Sequence, residues 1–384
     1  MNSVTHLKHN TKRRKIKTEY EKSTQKCQIM PFPFELSSCK RSFTTRNVEL
    51  EKIKTLINGD IKPKAGDLVL CEVIRLRQHC RIEQPNGRRN RMFSKDKIIV
   101  CYGNRYAPDQ FESIVPESLE ACHLVAGGGI ASLMRHKSPK VKPATEIQPL
   151  GLLGGAEGRP LNLSMFSCID TPQKKHSNNI PILMVAGSSM NAGKTTTAAN
   201  IVKGLKLDGY KVGVAKVTGT GSGCDLWHFQ DAGADKAIDF TDAGFVSTYM
   251  LSDEQLLDIF HALVDELKKD RINIIVIEVA DGIRQKETQF LLENLDILKL
   301  TSGMIYTSGD SISALYGDSW LRKLGYQVMA ISGVVSSNPL ACREINKNTI
   351  TPVISKGDCT KPGFGHQLMN KFECEETLKV HGHS

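Results

Sequence analysis

Nine residues, Gly187-Ser-Ser-Met-Asn-Ala-Gly193-Lys194-Thr195, join an apolar run of buried-strand length, Ile182-Leu-Met-Val-Ala186, to a segment whose Ala198, Ile201, Val202 and Leu205 share one helical face. A strand that passes into a helix this way exposes backbone N–H groups at the helix start, where an anion is favoured. The segment also supplies what a phosphate-binding loop needs: glycine for the tight bend, a lysine for the β- and γ-phosphates, and a hydroxyl for magnesium. The residues expected to face the phosphates are Ser189, Asn191, Ala192, Gly193, Lys194, Thr195 and Thr196. The spacing departs from the usual G-x4-G-K-[ST] by one residue. Ser188 stands where the first glycine belongs, and Gly187 comes one earlier.

Further apolar runs follow at Val212–Val217, Ile272–Ile277, Gly303–Tyr306 and Val328–Val335. Between two of them Leu256, Leu257, Phe260, Leu263, Val264 and Leu267 fall on one helical face. Strands alternating with helices predict an α/β unit over 180–356, a doubly wound, mostly parallel sheet with ligands at the carboxyl ends of its strands. Two carboxylates fall at such ends. Glu278 closes Ile274-Ile-Val-Ile and is the expected magnesium ligand, while Asp281 is placed to orient water or substrate. After the second run comes Lys216-Val-Thr-Gly-Thr-Gly-Ser-Gly-Cys-Asp225, whose glycines predict a mobile loop. Lys216 would bring positive charge to the crevice. Asp225 either caps the next helix or joins the metal shell.

The first half of the chain has a different pattern. Short alternating runs at Asp67–Ile74, His79–Glu83 and Ile98–Tyr102, with the turn Pro85-Asn-Gly87, predict a small all-β, barrel-like domain over 61–150 that precedes the α/β unit. Residues 1–60, with the run Lys12-Arg-Arg-Lys-Ile-Lys17, are expected to be a basic disordered extension; 151–179 a linker; and 357–384 a tail. The net charge of +10 is N-terminal: residues 1–60 hold 13 basic and 6 acidic groups, 61–150 hold 15 and 9, and 151–384 hold 23 and 26. Arg88, Arg89 and Arg91 could form a basic face for nucleic acid, but few aromatic side chains stand among these strands to stack on bases. The loop Tyr102-Gly-Asn-Arg-Tyr-Ala-Pro-Asp109 either meets substrate or forms a structured turn.

Eleven scattered cysteines with no Cys-x-x-Cys pair, and the lack of any run of about eighteen apolar residues, lead to the expectation of a cytoplasmic protein with reduced thiols and no membrane segment.

The phosphate loop, Lys216-Val-Thr-Gly-Thr-Gly, Glu278-Val-Ala-Asp-Gly and Ser332-Gly-Val-Val-Ser-Ser-Asn338 resemble the corresponding stretches of dethiobiotin synthetase. Gly223-Cys-Asp-Leu-Trp-His-Phe-Gln-Asp-Ala-Gly-Ala234 is similar to a signature of the molybdopterin-guanine dinucleotide biosynthesis adaptor. Both are P-loop NTPases. The resemblance implies Lys194 on the phosphates, Thr195, Asp225 and Glu278 around Mg2+, Lys216 and Thr220 facing substrate, and Ser337 or Asn338 near the base. Departures at Val217, Asn191 and Asp281 set the chain apart from both named families. The cofactors implied are magnesium and ATP, with GTP open. The expected activity is that of a ligase- or kinase-like hydrolase that activates a small carboxylate or carbamate. Lys194, Lys216 and Asp281 are its candidate catalytic residues. A nucleotide-switched adaptor and a nucleic-acid-associated NTPase are the alternatives. Expected partners are a small-molecule substrate and further copies of the chain.

Overall fold

The computed structural model describes residues 27–170 and 180–381. In the first half, apolar residues occupy both phases of the alternation, as in Leu68-Val-Leu-Cys71, so these strands have two faces to bury. β1 (Leu68–Arg75), β2 (Lys97–Tyr102), β3 (Cys122–Ala126), β4 (Ile130–Lys137) and β5 (Thr145–Gly154) close into a ring. β5 is antiparallel to β1, β1 to β2, β4 to β3 and β3 to β5, whereas β2 and β4 run parallel. Closure leaves no free edge within the ring. One phase (Val69, Cys71, Ile98, Val100, Leu124, Leu152) fills one core cluster, and the other (Leu68, Leu70, Ile99, Cys101, Ile130, Leu153) packs beneath Cys39, Val48, Ile53 and Phe166.

That second cover corrects two boundaries. The extension expected over 1–60 is structured from residue 27: Gln28–Pro31 pairs with Thr55–Asn58, which pairs with β5, and Phe43 and Ile53 are buried. Its apolar residues lack periodicity because they lie along irregular chain and short 3-10 turns. The run Lys12–Lys17 lies outside the described residues. The linker expected over 151–179 begins inside β5, and Leu161, Leu163 and Phe166 are buried against the barrel.

The second half is a six-stranded sheet, parallel throughout, of β6 (Ile182–Gly187), β7 (Val212–Lys216), β8 (Lys236–Asp239), β9 (Ile274–Glu278), β10 (Gly303–Thr307) and β11 (Val328–Ser332), in the order β8-β7-β9-β6-β10-β11. Every residue of β6, β7, β9, β10 and β11 is buried, which explains their unbroken apolar runs. On one face α1 (Lys194–Leu207) packs Ala198, Ile201, Val202 and Leu205 against Leu183, Val185 and Val276. On the other α3 (Asp253–Lys268) packs Leu256, Phe260, Leu263 and Leu267 against Ile275 and Ile277. Ser252 starts α3 through a reciprocal capping box with Gln255.

The expected tail over 357–384 is also structured. Lys356–Cys359 and Phe364–His381 are helices, Leu368 and Phe372 are buried with the α1 residues, and Asp208 accepts from the Gly363 and Gly365 N–H groups at 3.0 and 2.6 Å. Among the described residues no helix is long and apolar enough to cross a membrane.

Candidate functional site

In the sheet β6 stands between β9 and β10, and the chain leaves β6 for β7 on the far side of β9. The loops after β6 and β9 therefore open a crevice at the carboxyl ends of the strands. Gly193 precedes α1 at φ 99°, a left-handed conformation that glycine adopts at low cost. A Cβ on Gly187 would stand 2.5 Å from Thr307 Oγ1 and 2.9 Å from Lys194 Cγ, so the early glycine makes room for the stem of Lys194. Lys194 Nζ donates to Ser189 O at 2.8 Å, and Thr195 Oγ1 donates to Glu278 Oε1 at 3.1 Å across to the β9 end.

The charges converge here. Lys216, at the end of β7, is buried; its ammonium bonds Asp225 and lies 4.0 Å from Glu278 Oε1. Burial alone would depress the Lys216 pKa, but Asp225 and Glu278 outweigh it and hold the group above its ordinary value. Burial raises the Glu278 carboxyl, with Lys216 pulling against it, whereas for Asp225 the lysine outweighs burial and holds the carboxyl low. Asp281 is raised by burial, opposed by Lys194, Lys216 and Arg105. Lys194 is lowered by its own burial, with Glu278 and Asp281 opposing. Asp225 sits in the first turn of α2 (Cys224–Asp231) without a capping bond from the N-cap Gly223, and its carboxylate is turned to Lys216.

A cavity of about 460 Å³ collects these groups. Asn191, Gly193, Lys194, Thr195, Thr196, Lys216, Thr220, Asp225, Glu278 and Asp281 line it. Ser189 and Ala192 lie on the same loop beside it. Ser337 and Asn338 are not among its lining residues: both are exposed, and Asn338 Oδ1 caps the next helix by accepting from Leu340 and Ala341 N–H.

Residues of the barrel complete the wall. Arg105, Tyr106 and Ala107 line the cavity, and Asn191 Nδ2 donates to Asp109 Oδ2 at 2.7 Å. The polar-aromatic density of Tyr102–Asp109 was the sequence signal for this contact. Nothing in the sequence singled out Glu83. It is buried, and it accepts from Ser222 Oγ at 3.1 Å, Gly223 N at 3.1 Å and Trp227 Nε1 at 2.9 Å, which ties the barrel to the loop leading into Asp225.

The expected mobile loop over 219–223 is instead pinned. Gly219 N donates to Thr248 Oγ1 at 2.8 Å and Gly221 N to Val246 O at 3.0 Å. Its glycines permit close approach: a Cβ on Gly128 of the barrel would stand 2.1 Å from Gly221 O. Gly128→Ala is therefore expected to destabilise the chain by about 1–3 kcal/mol, as overpacking does. A urea-unfolding midpoint equal to wild type would contradict this backbone contact. Arg89 of the hairpin reaches Cys224, while Arg88 and Arg91 are exposed.

Among the described residues no group of three or more His, Cys, Asp or Glu side chains could hold a metal unaided. Thr195, Asp225 and Glu278 are hard oxygen donors, and the buried Glu278 Oε2 has no hydrogen-bond partner. Such a set fits magnesium, which keeps several waters and takes one or two carboxylates beside phosphate oxygens.

The parallel sheet and the glycine-lysine-threonine loop between β6 and α1 give this half of the chain the P-loop NTPase fold. No family model matches the chain, and no curated protein does. Among solved structures it is similar to the signal recognition particle receptor FtsY of Elizabethkingia anophelis, at 15% identity and a TM-score of 0.35 over 55% of this chain and 69% of that one. The kinase domain of the Escherichia coli tyrosine kinase ETK is similar at 12% identity and a TM-score of 0.32, over 41% and 68%.

Proposed function

We propose that the chain is a magnesium-dependent P-loop NTPase that spends a nucleoside triphosphate to phosphorylate or activate a small acid. The observation that carries the reading is the shared cavity. Lys194, Lys216, Thr195, Asp225 and Glu278 converge in it at the sheet's switch point, and the barrel closes its other side.

In this reading the N–H groups of the 189–196 loop and Lys194 hold the phosphate chain. Thr195, Asp225 and Glu278 would hold magnesium, which would supply charge neutralisation at the phosphate oxygens. Lys216 stabilises the transferred group, and Asp281 orients the acceptor or water beside it. Catalysis is then positioning plus charge neutralisation. The sequence resemblance supports a carboxylate or carbamate acceptor and ATP as the donor. GTP is the alternative donor, because Asn338 Oδ1 is engaged in capping the following helix.

The test is steady-state hydrolysis of ATP and of GTP, each with and without pooled small metabolites. The expected result is a slow basal rate with magnesium that rises at least tenfold with one metabolite fraction. A rate that no fraction stimulates would rule out the enzyme reading.

A further inference from the structure

A buried cation without a carboxylate partner is costly unless an anion reaches it from outside. Among the described residues, Asp281 is the one carboxylate that acts on the charge of Arg105, and no salt bridge includes that side chain. Arg105 is buried, at 5% exposed, and lines the cavity. Its Nη1 donates to Val125 O and its Nη2 to Gln110 Oε1 at 3.0 Å, which fixes the guanidinium on the barrel. The buried Nε has no partner. Burial pushes the Arg105 pKa down to about 10, with Asp281 opposing, so the group is still charged near neutrality.

The surroundings hold Arg105 in place. Tyr106 stands 5.4 Å from the ring of Tyr249, whose hydroxyl donates to Glu112 Oε1 at 3.1 Å, and the Asn191–Asp109 bond ties this barrel loop to the phosphate loop. Lys194 and Lys216 from the sheet half and Arg105 from the barrel thus line one cavity.

We propose that Arg105 binds a carboxylate of the acceptor, so that the acceptor carries two anionic groups: one turned to Lys194 and Lys216, the other to the barrel. The barrel is then the half of the molecule that selects substrate. This rests on the proposed phosphoryl-transfer function for the word acceptor, but the binding can be measured without turnover.

The experiment titrates the full chain with malonate, succinate and glutarate, by calorimetry, with and without magnesium and a non-hydrolysable ATP analogue. The corresponding diamides and inorganic phosphate are run alongside. At least one dicarboxylate is expected to bind while its diamide does not. Arg105→Gln should weaken that binding about tenfold or more, equivalent to about 1.4 kcal/mol. Arg105→Lys should fall between, and the analogue's affinity should stay within about twofold in both variants, which also reports that they fold.

The proposal is overturned if no dicarboxylate binds the wild type, if the diamide or phosphate binds as well, or if Arg105→Gln or Arg105→Lys leaves dicarboxylate affinity unchanged. Loss of analogue affinity in step with dicarboxylate affinity in Arg105→Lys would place Arg105 on the nucleotide and overturn it too. Should the wild type fail to bind the analogue, the NTPase reading falls, while the titration without analogue still reports on Arg105.

Discussion

Lys194→Ala is expected to weaken binding of ATP or GTP by on the order of 100-fold or more, with the fold intact. The side chain is buried and its ammonium ends on Ser189 O, inside the loop that would wrap the phosphates. Each hydrogen bond to a charged group contributes about 1.5–3 kcal/mol, so losing two would amount to some two to four orders of magnitude in affinity. The fold should survive, because alanine is the best helix former and Lys194 opens α1 with its stem along the crevice, away from the α1 core. Equilibrium dialysis with labelled nucleotide, beside an unfolding curve, checks both halves. Unchanged affinity in a folded variant would remove the phosphate-loop assignment.

Glu278→Gln should separate binding from turnover. Glutamine keeps the size of the side chain and can still accept the Thr195 hydroxyl, but it removes the negative charge that faces Lys216 and the position proposed for the metal. Nucleotide affinity should change by less than about tenfold, since the loop N–H groups and Lys194 remain. Hydrolysis should fall by about 100- to 1,000-fold, the loss typical when one preorganised group is removed from a reacting centre. An unaltered rate would show that Glu278 serves the fold alone.

Much of the site was legible because its chemistry demands particular residue types at fixed spacing. The loop at 187–195, the acidic end of β9 and Lys216 at the end of β7 all come together in one cavity. The early Gly187 marks a steric requirement, room for Lys194, that only the coordinates explain. What stayed hidden depends on contacts distant in sequence. β8 is a four-residue edge strand, Lys236-Ala-Ile-Asp239, whose two apolar residues are too few to mark it. The 27–60 segment and the C-terminal helices are ordered by the faces they cover, the outer face of the barrel and the exposed side of α1. The glycines of 219–223 could signal mobility or close packing, and only the approach of Gly128 decides for packing. Asn338 is a helix cap, a role that asparagine fills on local grounds alone.

The most direct test of the central claim is a calorimetric titration of the full chain with ATP, GTP and adenosine, each with magnesium and again with a chelator. The expected result is one triphosphate bound per chain, weakened by the chelator and by Lys194→Ala, with no binding of adenosine, because the groups in the cavity address phosphates and metal. No binding of either triphosphate, or adenosine binding as tightly as ATP, would contradict it.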